Sequence, residues 1–175
     1  EAEIDGDTAC FRLPQVYGGA DKLALLEIQA PAGVAGDARE LVEVEVNYLP
    51  VGSSAKRQQS VTVPIAYTER EEEVKEAARV DIAQNVADNV IAESKQEAIK
   101  FADAGDKDAA AQRMLSGNTY IYDNYGMLGD EFLQAPAAEL EAEAKKLEQD
   151  GMSNETRKAY RAESYQTTNQ QSTSK

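Results

Sequence analysis

The stretch Leu41-Val42-Glu43-Val44-Glu45-Val46-Asn47-Tyr48 decides the reading of the first half of the chain. Val42, Val44, Val46 and Tyr48 share one parity, while Glu43, Glu45 and Asn47 take the other. That period of two belongs to a strand with one covered face and one wet face. Ser60 to Tyr67 repeats the pattern with Val61, Val63, Ile65 and Tyr67 inward. Pro64 lies on the outward set, which suits an edge strand or a bulge, because proline has no N–H to give to a ladder. Lys22 to Ala30 is apolar on both parities and is expected as a third strand, bulged near Leu25; Thr8 to Leu13 is a fourth. Gly18-Gly19, then Pro31 with Gly33 and Gly36, then Pro50 to Gly52 with Ser53-Ser54 supply the turns. Such spacing predicts an antiparallel meander or part of a sandwich. Four strands cannot bury their own apolar face alone: either the helices that follow or strands missing upstream must cover it, and missing strands are favoured because the helical half already has an internal partner.

From Thr68 the period changes. Val74, Ala78, Ile82, Val86 and Val90 recur every four residues, with Ala83, Ala87 and Ile91 widening the stripe, and predict one helix over 70–104. Glu69, Glu71, Glu72 and Glu73 complement the positive end of its dipole. Gly105 is expected to close it, with Asp106 capping the next helix directly. That second helix carries Ala110, Met114, Gly117, Ile121 and Tyr125 on one side until Gly126 and Gly129 break it. A third helix, capped by Asp130, aligns Phe132, Leu133, Ala137, Leu140, Ala144 and Leu147. Pro136 inside it predicts a kink or a fresh start near Ala135, and Gly151 predicts a Schellman end that brings Met152 to Leu147. Ser153 caps a short helix to Tyr165, and the polar tail after it is expected to be disordered. The fold class is therefore α+β: an antiparallel β-sandwich portion over 1–68, an antiparallel three- or four-helix bundle over 69–165, and a tail over 166–175.

Composition excludes much chemistry. Among 175 residues there is no histidine and one cysteine. Ser-His-Asp and Cys-His catalysis, His-ligated metals, internal disulfides and multi-cysteine zinc sites are thereby absent. The net charge of −14 opposes binding to a phosphate backbone, and no apolar run is long enough to span a membrane. Charge divides as −5 over 1–68, −11 over 69–151 and +2 over 152–175. Glu1 is no initiator and no leader is read there, so the chain is expected to be a fragment or a processed product; the compartment stays open, with the cytoplasm favoured.

The local wording adds a resemblance. Val42 to Tyr48, the turn Ala98-Ile99-Lys100-Phe101-Ala102-Asp103-Ala104-Gly105-Asp106-Lys107-Asp108-Ala109-Ala110, and Leu140 to Leu147 followed by Thr156-Arg157-Lys158 and Ser164-Tyr165 stand in an order that resembles the region C-terminal to the metal-binding domain of bacterial von Willebrand factor type A proteins. The adhesion loop of that family, Asp-x-Ser-x-Ser, does not occur here, since no Asp is followed two residues later by Ser. The resemblance implies that metal-dependent binding belongs to an upstream domain, and no functional residue carries over.

Candidate sites are few. Asp5-Gly6-Asp7 and Asp106-Lys107-Asp108 offer oxygen ligands but lack the remaining positions of a calcium loop, and read as a turn and a cap. Glu139, Glu141, Glu143 and Glu148 read as a solvated helix face, partly balanced by Lys145 and Lys146. A carboxylate-only hydrolase would need two such groups paired in a cleft, and nothing in the spacing pairs them. Cys10, beside Phe11, reads as inert strand packing. Tyr120, Tyr122 and Tyr125 cluster at the end of the second helix, where either all three pack in the bundle, the favoured reading, or Tyr122, off the face shared by Ile121 and Tyr125, is an exposed contact. Arg157, Lys158 and Arg161, with Tyr160 and Tyr165, form the basic patch, which either clips back onto the acidic helices or meets a partner. Tyr122, Arg157, Lys158, Tyr160 and Arg161 are thus the expected partner contacts. The functional expectation is a non-catalytic interaction or scaffold module, with no cofactor of its own, whose partners are the upstream domain and other proteins. The competing reading is a helical-repeat-like subunit that binds a helix of its partner.

Overall fold

The computed structural model of the chain describes residues 3–13, 16 and 22–169. The Gly18-Gly19 turn and the tail beyond Asn169 lie outside the described residues. Among them the chain is α+β, with five helices and two antiparallel two-stranded sheets. It divides into two compact units, Glu27–Arg79 on one hand and Glu1–Leu26 with Val80–Lys175 on the other.

In the first of these units β3 (Ala38–Tyr48) pairs antiparallel with β4 (Arg57–Ala66). The register sets Val42 opposite Val63 and Val44 opposite Val61 on one face, with Glu43 opposite Thr62 and Glu45 opposite Ser60 on the other. One extra residue, Leu41, is accommodated where Glu40 pairs with Pro64, so proline sits beside a bulge, where its missing N–H is tolerated. Tyr67 extends the ladder by one bonded residue, with its N–H on the Asp37 carbonyl at 2.9 Å. Its hydroxyl donates to the Pro31 carbonyl, and its ring lies so close to Gly33 that a Cβ there would be 2.5 Å away. Arg39 lies over the same ring at 5.1 Å. The 31–36 loop is therefore strapped to the ribbon by one tyrosine.

The sheets are not a sandwich, which corrects the expectation for 1–68. β1 (Glu3–Asp5) and β2 (Thr8–Cys10) form a separate hairpin around Gly6, whose φ of +56° supplies the turn. Lys22 to Ala30 is irregular instead of a strand. An apolar run without a period does not choose between conformations, and Leu23, Leu25, Leu26 and Ile28 stay 41–49 % exposed. The valine face of β3 and β4 is open in part: Val46, Val61 and Val63 are 50, 60 and 40 % exposed, while Val42 and Val44 are half-buried. Cys10 is exposed instead of packed.

The expected 70–104 helix is two helices, α1 (Glu71–Ala77) and α2 (Val80–Asp103), parted where Ala78 turns extended (φ −67°, ψ 136°). The stripe is continuous in sequence, but its early members find no cover: Val74, Val80 and Ile82 are exposed, and burial begins at Ala83. Packing, not periodicity, sustains a helix in water. α2 ends as its sequence requires. Gly105 adopts φ +84°, the Asp106 N–H reaches the Phe101 carbonyl and the Gly105 N–H the Ala102 carbonyl, both at 3.0 Å, which is a Schellman end. Asp106 then takes the Ala109 N–H at 2.9 Å and starts α3 (Lys107–Tyr125). A 3-10 turn over Gly126–Leu128 leads to α4 (Asp130–Asp150), whose N-cap position is Gly129 instead of Asp130. α4 runs through buried Pro136 without restarting. Gly151 ends α4 at φ +69° but ψ −168°, so the exit is extended and no Schellman turn forms, although Met152 still packs against the core containing Leu147. Ser153 caps α5 (Asn154–Thr168) through the Thr156 N–H at 3.0 Å; this helix continues three residues past the expected end.

α2, α3, α4 and α5 share one core, in which Ala87, Ile91, Ala98, Met114, Ile121, Leu140 and Leu147 are buried. Its tightest place is the crossing of α2 and α3. Gly117 faces Ser94, and a Cβ on Gly117 would lie 2.4 Å from Ser94 Oγ. Ser94 is fully buried and accepts from Arg113 at 3.1 Å, so it cannot swing away without losing that bond. Gly117→Ala should therefore lower stability by about 1–3 kcal/mol, overriding the ~1 kcal/mol that alanine gains in helix propensity. The added change Ser94→Ala should restore part of the loss, and urea unfolding of the two variants checks it.

Candidate functional site

Lys95 is a lysine on an apolar stripe. It stands four residues after Ile91 and four before Ile99, and α2 turns all three inward. At 5 % exposure its ammonium has left bulk water, a state that lysine adopts only with partners. Two carboxylates provide them: Glu139 from α4 and Glu163 from α5, each with an oxygen 2.6 Å from Nζ. The Tyr160 ring lies 5.4 Å from the same nitrogen, close enough for a cation–π contact. Tyr160 in turn donates its hydroxyl to Glu143 of α4. Three helices thus converge on one cation.

Burial alone would push the Lys95 ammonium down, but the hydrogen bonds it donates to Glu139 and Glu163 and their negative charges outweigh it and raise its pKa above the ordinary range. Tyr160 is also raised, by burial first and then by its bond to Glu143 and the surrounding carboxylates. Around the cation lies a cleft of about 220 Å³ with Asp88, Lys95, Glu139, Glu163, Ser164 and Thr167 as its polar lining. Chemically the group is a clamp. An ammonium held protonated offers no lone pair to a carbonyl carbon, and it occupies the space between the two carboxylates that an acid–base pair would need for substrate.

The expected contact residues separate. Tyr160 is 2 % exposed and belongs to the core and the clamp, not to a surface for partners. Tyr122 is 46 % exposed on α3, and Lys158 is exposed on α5. Arg157 pairs with Asp103 of α2 at 2.7 Å, and Arg161 approaches the same carboxylate at 3.8 Å. The basic patch is thus clipped back onto α2. Asp5-Gly6-Asp7 forms the β1–β2 turn and Asp106 is a helix cap. Among the described residues no group of three or more acidic or sulfur ligands could hold a metal, and no helix is long and apolar enough to cross a membrane.

Lys95, Glu163 and the inward roles of Glu139 and Glu143 were missed in the sequence reading. The signal for Lys95 was its place between Ile91 and Ile99. Glu139 and Glu143 carried none, because a helix face looks solvated until a second helix is known to lie over it. No protein-family model, curated protein or solved structure matches this chain.

Raised pKa values make stability depend on alkali. A group protonated more tightly in the folded state contributes fully below its unfolded value, about 10.5 for Lys95 and about 10 for Tyr160, and that contribution is lost as pH rises toward the folded value. Urea midpoints should hence fall from about pH 10 upward, and less steeply in Lys95→Met. Phenol absorbance at 295 nm, compared between the wild type and Tyr160→Phe, should show Tyr160 ionising late, as the protein unfolds in alkali.

Proposed function

We propose that the chain is a non-catalytic protein-interaction module, composed of a β-ribbon and an antiparallel four-helix bundle, that accompanies an upstream metal-dependent von Willebrand factor A domain. The observation that carries this reading is the open valine face. Val42, Val44 and Val46 on β3 and Val61 and Val63 on β4 line one side of a two-stranded ribbon, and a ribbon of that size does not stand alone in water. A contiguous apolar patch of this kind marks a surface made to be covered. The helices support the same division of labour, since their apolar stripes close on one another and leave the ribbon to do the binding. The order of local sequence blocks supports the upstream A domain as the covering partner. That domain would contain the whole metal loop, because the Asp-x-Ser-x-Ser pattern is absent from this chain. The negative net charge favours protein over nucleic acid as the partner.

Val46→Lys and Val61→Lys test the reading with little risk to the fold, since both side chains are at least half exposed. With the proposed upstream A domain as the probe, each should weaken binding about tenfold or more and leave the helical melting transition unchanged. Equal binding by wild type and variants, or a hydrolase or transferase turnover by the chain itself, would contradict the proposal.

A further inference from the structure

The helix α5 is attached differently from α2, α3 and α4. Its buried residues are Thr156, Tyr160 and Ser164, none of them aliphatic, whereas those of α2 and α3 include Ile91, Ile99, Met114 and Ile121. What ties α5 to its neighbours is polar. Glu163 grips Lys95 at 2.6 Å, Ser164 Oγ donates to the Ala92 carbonyl at 2.9 Å, and Arg157 meets Asp103 at 2.7 Å with Arg161 behind it. At the far end Lys22 donates to the Asn169 carbonyl. Tyr160, bonded to Glu143, is the single large apolar anchor.

We infer that α5 is a charge-latched helix that detaches as a unit from a still-folded α2–α4 core. Three features make that opening cheaper than unfolding. Lys95 is shared between a carboxylate of the core, Glu139 on α4, and one of the latch, Glu163 on α5. When α5 leaves, the ammonium keeps Glu139 and is not stranded in an apolar site, which removes the penalty that normally forbids breaking a buried pair. Asp103 and Glu163 are already 46 and 53 % exposed, so water and salt reach both ion pairs. The connection from α4 is the short Gly151–Ser153 segment, where Gly151 at φ +69° already holds an extended turn that can pivot without breaking α4. Opening uncovers Ile91, Ala92 and Lys95, so the latch governs access to that face of α2.

Native-state amide exchange tests the inference on the whole chain. In 50 mM NaCl, amides of α5 should exchange through an opening that leaves α2 and α3 protected. Raising the salt to 0.5 M should speed exchange in α5 about tenfold, because several exposed pairs are screened together, and should change α3 little. Glu163→Gln should do the same at low salt and leave the global unfolding midpoint within its ordinary surface-substitution range. If α5 exchanges at the same rate as α2 and α3 in both salts, or if Glu163→Gln accelerates all of these helices equally, α5 is an integral part of the core and the inference fails.

Discussion

Apolar surface laid on a pleated ribbon has to be covered, and the two halves of this chain meet that requirement in opposite ways. The stripes of α2, α3 and α4 find each other, with Gly117 against Ser94 where α2 and α3 cross and Met114, Ile121, Leu140 and Leu147 buried in the shared core. The strands β3 and β4 are hydrogen-bonded to each other, but Val46, Val61 and Val63 on their valine face stay 40–60 % exposed. A two-stranded ladder satisfies backbone groups without removing side chains from water, and hydrophobic burial, not the ladder, is the larger favourable term. The division into a self-sufficient helical core and an open ribbon follows from that asymmetry.

Inside the helical core the Lys95 clamp imposes a register. A buried ammonium is costly, and replacing such a pair by apolar side chains often leaves stability unchanged, so strength alone does not account for it. Its geometry takes one carboxylate from α4 and one from α5 at the same height along α2, and so ties the three helices together at that level. Ser164 on the Ala92 carbonyl and Arg157 on Asp103 enforce the same alignment of α5. Specificity of arrangement is what these polar contacts add to a core made mostly of alanine and leucine.

Much of the local structure was legible in the sequence because it depends on neighbours only a few residues away. The alternation in Val42–Tyr48, the Gly105-Asp106 joint, the Ser153 cap and the bulge beside Pro64 each follow from a side chain acting on adjacent backbone. Reading failed where the deciding contact was distant. The stripe of Val74, Ala78 and Ile82 predicts a continuous helix, yet Val74 and Ile82 stay exposed and the helix breaks at Ala78. Lys22–Ala30 had the composition of a strand but no period to orient it. Tyr160 and Glu139 belonged to opposite classes on paper, one an exposed contact and the other a solvated carboxylate, until α4 and α5 brought both to Lys95.

The central claim is that the valine face is made to be covered by a domain outside this polypeptide. Carbene footprinting of Val46, Val61 and Val63 tests it most directly, in the chain alone and in the same chain joined to the proposed upstream A domain. The account predicts heavy labelling of these valines in the chain alone and selective loss of that labelling in the longer protein, with Met114 and Leu140 protected in both. Labelling that is unchanged by the upstream domain, or valines already protected in the chain by itself, would contradict it.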